Sequence, residues 1–407
     1  MNTLLNEKEK SLSVKQGFKN IVLLGLVSMF IDLSTEMVYP LVTIYLSTIA
    51  SVAIIGVVEG LAESVAAILK SYSGYLGDKS GKKKILAFTG YFSAVIYKIL
   101  LFFSFNWVFV LIAKLVDRIG KGIRTAPRDA LVAESGQATL GRAFGLHKAL
   151  DMFGSAAGVA VSILLLSLLV KNGETSADMA VFKKIFLFSA IPALFGLFCL
   201  LFVKETKTIG KAIKESGPGS FRPEKRLVAY LVVVFLFSIG NSSNAFLVLR
   251  LNAAGYSTID VLLIYLVYNL VSSLSSYPLG KLSDKIKRSR LIIPAYLLYS
   301  AVYLGVAMNV DKLGFYLLFG FYGIFQSLIS GAERAYIVEI SQPEYKGTVL
   351  GLYGTSQGLG LLFASLIAGL LWGIGMEYTF LFGAVMGVAA ALMLFFVFRM
   401  KTKEKTT

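Results

Sequence analysis

The chain has 407 residues, of which 56% are hydrophobic and only 16% charged; soluble domains carry about a quarter charged residues, so a soluble globular protein is excluded in favour of a polytopic membrane one. The formal charge of +16 could point to nucleic acid, but the basic residues cluster between apolar spans, as a positive-inside topology requires, and no nucleic-acid partner is expected. One cysteine (Cys199) and one histidine (His147) exclude disulfides within the chain and Cys or His metal clusters; no metal or other cofactor is expected.

Windows of about 20 apolar residues predict twelve spans, near 20–46, 52–76, 85–105, 107–133, 142–169, 181–203, 227–250, 258–281, 291–309, 313–340, 346–373 and 377–399. The stretch Glu7–Lys10 is mixed in charge and the apolar segment after it is too long for a signal peptide. Alternate gaps are basic: Lys79, Lys82, Lys83 and Lys84, then Arg142, then Lys204 to Arg226, then Lys285, Lys287, Arg288 and Arg290, with both tails in the same set. The other gaps (47–51, 105–107, 252–257, 374–376) are nearly free of Lys and Arg. This pattern places both termini in the cytoplasm and the protein in the cell's inner (cytoplasmic) membrane.

Helix one carries Asp32 and Glu36 four residues apart, hence on one face, with Tyr39 beyond them. Helix two carries Glu59 and Glu63 at the same spacing. Helix four carries Lys114, Asp117, Arg118, Lys121, Arg124, Arg128 and Asp129; its bases fall within about a third of the helix circumference. Intramembrane charge costs at least ~2.5–3.5 kcal/mol per residue at the bilayer centre, so this face must line a wet or partnered interior. Helices two and four both start at the outer surface. Depth counting therefore sets Glu59 level with Lys114, and Glu63 level with Arg118. Across helices one to five, the acids Asp32, Glu36, Glu59, Glu63, Asp117, Asp129 and Asp151 face the bases Lys98, Lys114, Arg118, Lys121, Arg124, Arg128 and Lys148. A balanced structural network including Glu59, Glu63, Lys114, Asp117 and Asp151 is expected. Asp32 and Glu36 either belong to it or bind a proton; desolvation and neighbouring bases act oppositely on such carboxyls. Arg124 and Arg128 read as gate or anchoring residues. His147 either relays protons or makes a helix contact.

The second half differs. Its mid-membrane charges reduce to Glu333 and Arg334, with Arg250 near the outer end of helix seven; Asn241-Ser-Ser-Asn244, Asn269, Ser272, Ser273, Tyr322, Gln326 and Ser327 replace the rest. Prolines at 40, 127, 192, 278 and 294 are expected to interrupt helices. The basic stretch 204–226, broken by Gly217-Pro-Gly-Ser, divides the chain into an N-terminal six-helix bundle (1–203) and a C-terminal one (227–407). This linker either contacts anionic lipid headgroups or is a solvated tether.

The halves repeat. Gly74, Leu76, Asp78 and Lys79 match Gly280, Leu282, Asp284 and Lys285 at an offset of 206 (74 to 280), which also carries Arg128 onto Arg334 and Gly154 onto Gly360. Both copies run through the membrane in the same sense, implying a two-fold along the membrane normal.

On these residues the chain resembles the major facilitator superfamily. Its loop signature G-x-x-x-D-[RK]-x-G-[RK]-[RK] stands as Gly74, Asp78, Lys79, Gly81, Lys82 and Lys83, with a degenerate copy near Asp284 and Lys285. Arg118, Lys121 and Gly122 fit the family's helix-four R-x-x-[QK]-G element. The resemblance implies an all-α membrane protein of 12 transmembrane helices in two pseudo-symmetric six-helix bundles, usually monomeric, with a central cavity lined by helices 1, 4, 7 and 10. It implies that the loop acts as a conformational latch (Gly74, Asp78, Lys79, Lys82, Asp284, Lys285), and that Lys98, on an outward-facing helix three, snorkels or pairs. The antiporters' G-x-x-x-G-P stands as Gly154 to Gly158 followed by Val159, without its proline. The sugar porters' acidic motif after helix six is replaced by Lys204-Glu-Thr-Lys207.

The expectation is a secondary active transporter, not an enzyme: no nucleophile stands with a base. Asp32 and Glu36 would carry the coupling proton, and Arg118, Lys121, Tyr39, Asn241, Asn244, Tyr322 and Gln326 would line the substrate cavity. Efflux of a small amphipathic or cationic compound follows from the acidic pair, which recurs in drug exporters of the superfamily. Proton-linked uptake or exchange of an organic anion follows from the helix-four bases. A receptor with a transporter's fold but no flux is a more distant alternative.

Overall fold

The computed structural model describes residues 2–80, 82–135, 140–169, 179–205, 223–283, 285–308, 310–340 and 346–400. Among them there is no strand. The N-terminal helices are α1 (Asn2–Glu36), α2 (Tyr39–Ile49), α3 (Val52–Ser80), α4 (Lys83–Phe102), α5 (Trp107–Ser135), α6 (Leu140–Leu169), α7 (Met179–Phe188) and α8 (Ala190–Leu201). The C-terminal ones are α9 (Lys225–Gly240), α10 (Asn244–Ala253), α11 (Thr258–Ser283), α12 (Ser289–Ala307), α13 (Lys312–Glu339), α14 (Lys346–Ile374) and α15 (Met376–Arg399). Three crossings are broken in two (α1–α2, α7–α8, α9–α10), so the described helices make twelve. Eleven are long and apolar enough to cross a membrane; the twelfth, α5, carries the charged ladder. Residues 206–222 of the expected linker lie outside the described residues.

The breaks have local causes. A proline ring clashes with the carbonyl four residues back, so Pro40 ends α1 at Glu36 and Pro192 ends α7 at Phe188. Pro127, Pro278 and Pro294, also expected to interrupt helices, sit inside continuous ones. A packed transmembrane helix tolerates the lost bond because its surroundings satisfy the freed carbonyl. The third break needs no proline. After Gly240 the chain leaves the helix for three residues, and the Ser243 hydroxyl accepts the Ala245 N–H at 3.3 Å to start α10, the ordinary work of an N-cap serine.

Within the first bundle α1 packs on α6 and α8, α4 on α5 and α8, and α3 on α5. The second bundle sets α11 on α13, α12 on α13 and α15, and α9 on α14 and α15. Two long seams join the bundles, α3 with α14 and α6 with α11, and the two-fold relating the halves exchanges them. Aliphatic and aromatic side chains such as Phe92, Ile96, Phe198, Leu297, Leu392 and Phe396 stay exposed around the outside, an apolar surface far larger than a soluble monomer tolerates.

The apolar core reveals which end is shut. Call the end with the Lys- and Arg-rich loops the basic side and the other the neutral side. On the neutral side one continuous cluster joins both bundles: Pro40–Leu46 of α2 and Ala245–Leu251 of α10 are buried throughout, and the two helices pack together. Towards the basic side the first bundle keeps a separate cluster, including Leu24, Val27, Tyr91, Ala94, Leu131 and Leu197. The bundles therefore share a core at one end only.

The α3–α14 seam depends on small residues. A side chain at Gly56 would collide with the Ser365 carbonyl and approach the Gly369 backbone, obstacles that no rotamer change removes. Gly56→Leu is expected to destabilise the protein by about 1–3 kcal/mol, the usual penalty of overpacking. Thermal unfolding of the detergent-purified variant checks this; an unchanged midpoint would show that the seam does not hold the neutral side closed.

Candidate functional site: a charged seam between two bundles

The ladder on α5 is almost wholly engaged. Lys114 donates to Glu59 of α3 in a short contact, with both side chains under 5% exposed. One turn on, Arg118 holds Glu63 at 2.9 Å and Asp117 at 3.0 Å. Lys121 lies 3.6 Å from the same Glu63, but its side chain is 43% exposed. Arg124 donates to the Gly90 carbonyl at 3.1 Å and lies 4.0 Å from Asp117 and over the Tyr91 ring, anchoring α5 to α4. Arg128 binds Asp129 at 2.8 Å and the Ser28 hydroxyl at 3.2 Å. On α6, Lys148 holds Asp151 at 2.7 Å. Opposite charges at these depths offset much of one another's desolvation.

The depth counting thus brought Glu59 to Lys114 and Glu63 to Arg118. Among the described residues, three of the fourteen expected network members form no ion pair: Asp32, Glu36 and Lys98. Lys98 does not snorkel. It is fully buried, donating to the Thr35 hydroxyl at 3.4 Å with its ammonium over the Tyr97 ring. Asp32 turns its carboxyl towards Asp151. Glu36 reaches Tyr265 of α11 in the other bundle, and its Oε2 is buried with no hydrogen-bond partner. Gly154 and Gly158 let α6 come against the α1 backbone here, at Met29 and Leu33, so the acids are enclosed by helix and not by lipid. His147 makes a helix contact, its Nε2 2.9 Å from the Ser28 hydroxyl.

The neutral end of the site is closed by polar contacts between bundles. The Ser243 hydroxyl, at the unforeseen α9–α10 break, donates to Glu59 Oε2 at 3.2 Å and lies 3.0 Å from the Tyr39 hydroxyl. The Tyr39 ring faces the Lys114 ammonium at 5.6 Å and stacks against Tyr265. From there an aromatic run continues through Tyr268 to Tyr322. Tyr322 donates to Asn244 Oδ1 at 2.9 Å and contacts Gln326, while Asn241 Oδ1 is buried without a partner. Asn244, Tyr322 and Gln326 therefore form one cluster, and Tyr39 belongs to the seal above it.

Sequence reasoning named Ser243 only as part of a polar run and missed Tyr265 and Tyr268. One signal was available: Tyr265 is the repeat-equivalent of Glu59 (59 to 265), so a hydroxyl takes the carboxylate's place in the second half. Among the described residues the second bundle keeps one buried acid, Glu333, which accepts from Tyr296 at 2.5 Å and from Tyr353, with Gln357 donating at 3.5 Å; Arg334 beside it is exposed.

The side chains of Asp78, Lys79 and Asp284, three of the expected latch residues, lie outside the described ones. Gly74 packs on Ala126 of α5, and Lys82 and Lys285 are exposed. The neighbouring Lys83 binds Glu134 at the end of α5, and the backbone N–H groups of Lys83 and Lys84 both donate to Glu205. Arg288 and Glu339 repeat the Lys83–Glu134 pair in the second bundle at an offset of 205 (83 to 288, 134 to 339).

Residues 24–321 and 310–407 match the profile of the Major Facilitator Superfamily. An uncharacterized MFS-type transporter of Methanocaldococcus jannaschii is 35% identical over 399 residues, spanning 96% of this chain and 97% of its own. Among solved structures, a D-xylose-proton symporter superposes with a TM-score of 0.74 at 17% identity, covering 95% of this chain and 98% of that one. The human organic anion transporter MFSD10 superposes at 0.67 with 13% identity, covering 93% and 99%. At such identities the structural likeness is one of fold. With the superfamily profile matched from residue 24 to residue 407 and a relative this similar along its whole length, the chain belongs to the Major Facilitator Superfamily, a family of multi-pass membrane transporters for small molecules.

Proposed function

We propose that the protein is a secondary active transporter that moves a small organic solute by alternating access, coupled to protons bound at Asp32 and Glu36. One observation carries this reading: where the other five acids of the first bundle's seam are held in ion pairs, these two have none. An acid locked to a base gains little from a proton. Asp32 faces Asp151, itself bound to Lys148. With a proton between the two carboxyls α1 and α6 pack closely; without it the like charges repel. Glu36 touches Tyr265, so its charge state is felt across the bundle interface.

Closure of the neutral side by α2 and α10, with Tyr39, Ser243 and Glu59 bridging, supports a state accessible from the basic side. We place that side in the cytoplasm, with both termini, in the inner membrane, and take the protein to work as a monomer with its basic loops against anionic lipid. Release of the neutral-side seal would be matched by closure of the basic side, where the Gly74–Lys82 segment at the end of α3 and its Asp284–Lys285 copy act as latches. Arg118, locked between two carboxylates, orders the seam, and Lys121 is left to meet solute.

The acidic pair suits efflux of an amphipathic or cationic compound. The second reading, uptake or exchange of an organic anion, is favoured by the half-exposed Lys121 and by bases elsewhere in the passage. Flux into sealed proteoliposomes tests the common core of both. A pH gradient should drive accumulation of solutes that bind, an outward proton gradient if solute exchanges against protons and an inward one if the two move together, and a protonophore should abolish it. Flux of a bound solute indifferent to the gradient would overturn proton coupling, and binding without any flux would make the protein a receptor.

A further inference from the structure

We propose that Lys70 of α3, Lys121 of α5 and Arg334 of α13 form a binding site for a small, multiply charged organic anion bearing phosphate or carboxylate groups, filled from the basic side. Lys70 was not singled out by the charge pattern, yet it points across the bundle interface. Its stem lies beside Gly354 of α14, with Lys70 Cδ in ordinary contact distance, 3.7 Å, of where a side chain there would begin. There its ammonium feels Arg334, Arg128 and Lys121, against the acid Asp129. Asp129 is already held by Arg128 at 2.8 Å. Lys121 shares Glu63 with Arg118, which binds that carboxylate more closely. Among the described residues Lys70 and Arg334 have no ion pair, and Arg334 is exposed.

Lys70, Arg128 and Arg334 therefore converge on one carboxylate already in use, with Lys121 close to Lys70. Like charges held together are unfavourable, and a ligand with two or more negative charges relieves the arrangement. The symmetry adds to the argument. Arg128 and Arg334 are equivalent positions of the repeat (128 to 334), so the two-fold delivers one arginine from each bundle to the same passage. A ligand held by Lys70 and Lys121 from one bundle and Arg334 from the other is bound best when the bundles approach on the basic side, the movement that transport requires. Linkage to protons rests on the function proposed above. Glu36 is faced by Arg118 and Lys121 of α5, Asp151 of α6, Tyr265 of α11 and Asp32 of its own helix. Neutralising it frees Lys121 of a competing negative charge, so proton and anion would bind together.

Equilibrium binding to the purified full-length protein tests the site without any gradient. Glycerol 3-phosphate and succinate are the probes; glycerol and tetraethylammonium are the uncharged and cationic controls. The anions should raise the unfolding temperature, less so as salt is increased. Lys70→Gln and Arg334→Gln should each weaken binding about tenfold or more, while Lys70→Arg keeps it. The ligand-free Lys70→Gln/Arg334→Gln protein should unfold at a higher temperature than wild type, because two mutually repelling charges are gone; a lower midpoint would overturn the proposal. So would stabilisation by tetraethylammonium alone, or anion binding that the double variant retains. Loss of the glycerol 3-phosphate response in phosphatidylglycerol nanodiscs, but not in phosphatidylcholine ones, would assign the cations to a lipid headgroup and equally overturn it. No anion response sinks the site and leaves proton coupling standing, whereas anion binding with flux indifferent to pH does the reverse.

Discussion

Glu59→Gln is expected to cost about 3–5 kcal/mol of stability, because it leaves the Lys114 ammonium buried without a countercharge. Lys114 is 4% exposed and Glu59 1%, so neither water nor lipid headgroups can take the missing partner's place. The double variant Glu59→Leu/Lys114→Met should recover most of the loss, since replacing a buried pair with apolar groups of similar volume is often neutral or better. The single variants Glu59→Leu and Lys114→Met and their double form a cycle whose coupling term is the measurement. Thermal or denaturant unfolding in detergent reads it. Single variants as stable as wild type would mean that the seam is hydrated and the pair structurally idle. The double variant should still differ in one respect. Glu59 also receives the Ser243 hydroxyl at 3.2 Å, so the neutral-side seal loses a contact that stability alone does not report.

Asp32→Asn and Glu36→Gln should reduce pH-gradient-driven accumulation to the level of protein-free vesicles, with solute binding and solute-for-solute exchange retained. The separation of these activities is the point. Each substitution keeps the side chain's size and hydrogen bonding but fixes one charge state, so a carrier step that needs protonation and release stalls while binding continues. Asp151→Asn is the control: its carboxylate is tied to Lys148 at 2.7 Å, and its loss should lower stability as well as transport. If gradient-driven accumulation survives in the Asp32→Asn/Glu36→Gln protein, the proton binds elsewhere, and Glu333, held by Tyr296 and Tyr353 in the second bundle, becomes the next acid to examine.

Much of the seam could be read from the chain alone. Helices two and four enter from the same surface, so counting residues placed Glu59 beside Lys114 and Glu63 beside Arg118, and both pairs form. Depth along a helix is fixed by a rise of about 1.5 Å per residue. Rotation about the axis is not, and it depends on packing. That is why Lys98, expected to snorkel or pair, is buried beneath Thr35 and Tyr97, and why Lys70 went unnoticed although it reaches the α14 backbone. Proline content misjudged the bends for a related reason. Pro40 and Pro192 meet carbonyls at helix ends, whereas Pro127, Pro278 and Pro294 lie where the bundle carries the helix through. The break at Asn241–Ser243 was written in a Gly-Asn-Ser-Ser turn signature that the apolar run on either side concealed.

All of these expectations depend on one passage, shared by the two bundles, that opens at one end when it shuts at the other. Spin labels in a Cys199→Ser background measure this directly, one pair at Thr48 and Asn252 on the neutral side and a second at Ser80 and Lys285 on the basic side. Lowering the pH with a bound solute present should shift the two distance distributions in opposite directions, the neutral-side pair lengthening as the basic-side pair shortens. Two distances that stay fixed, or that lengthen and shorten together, would contradict the account.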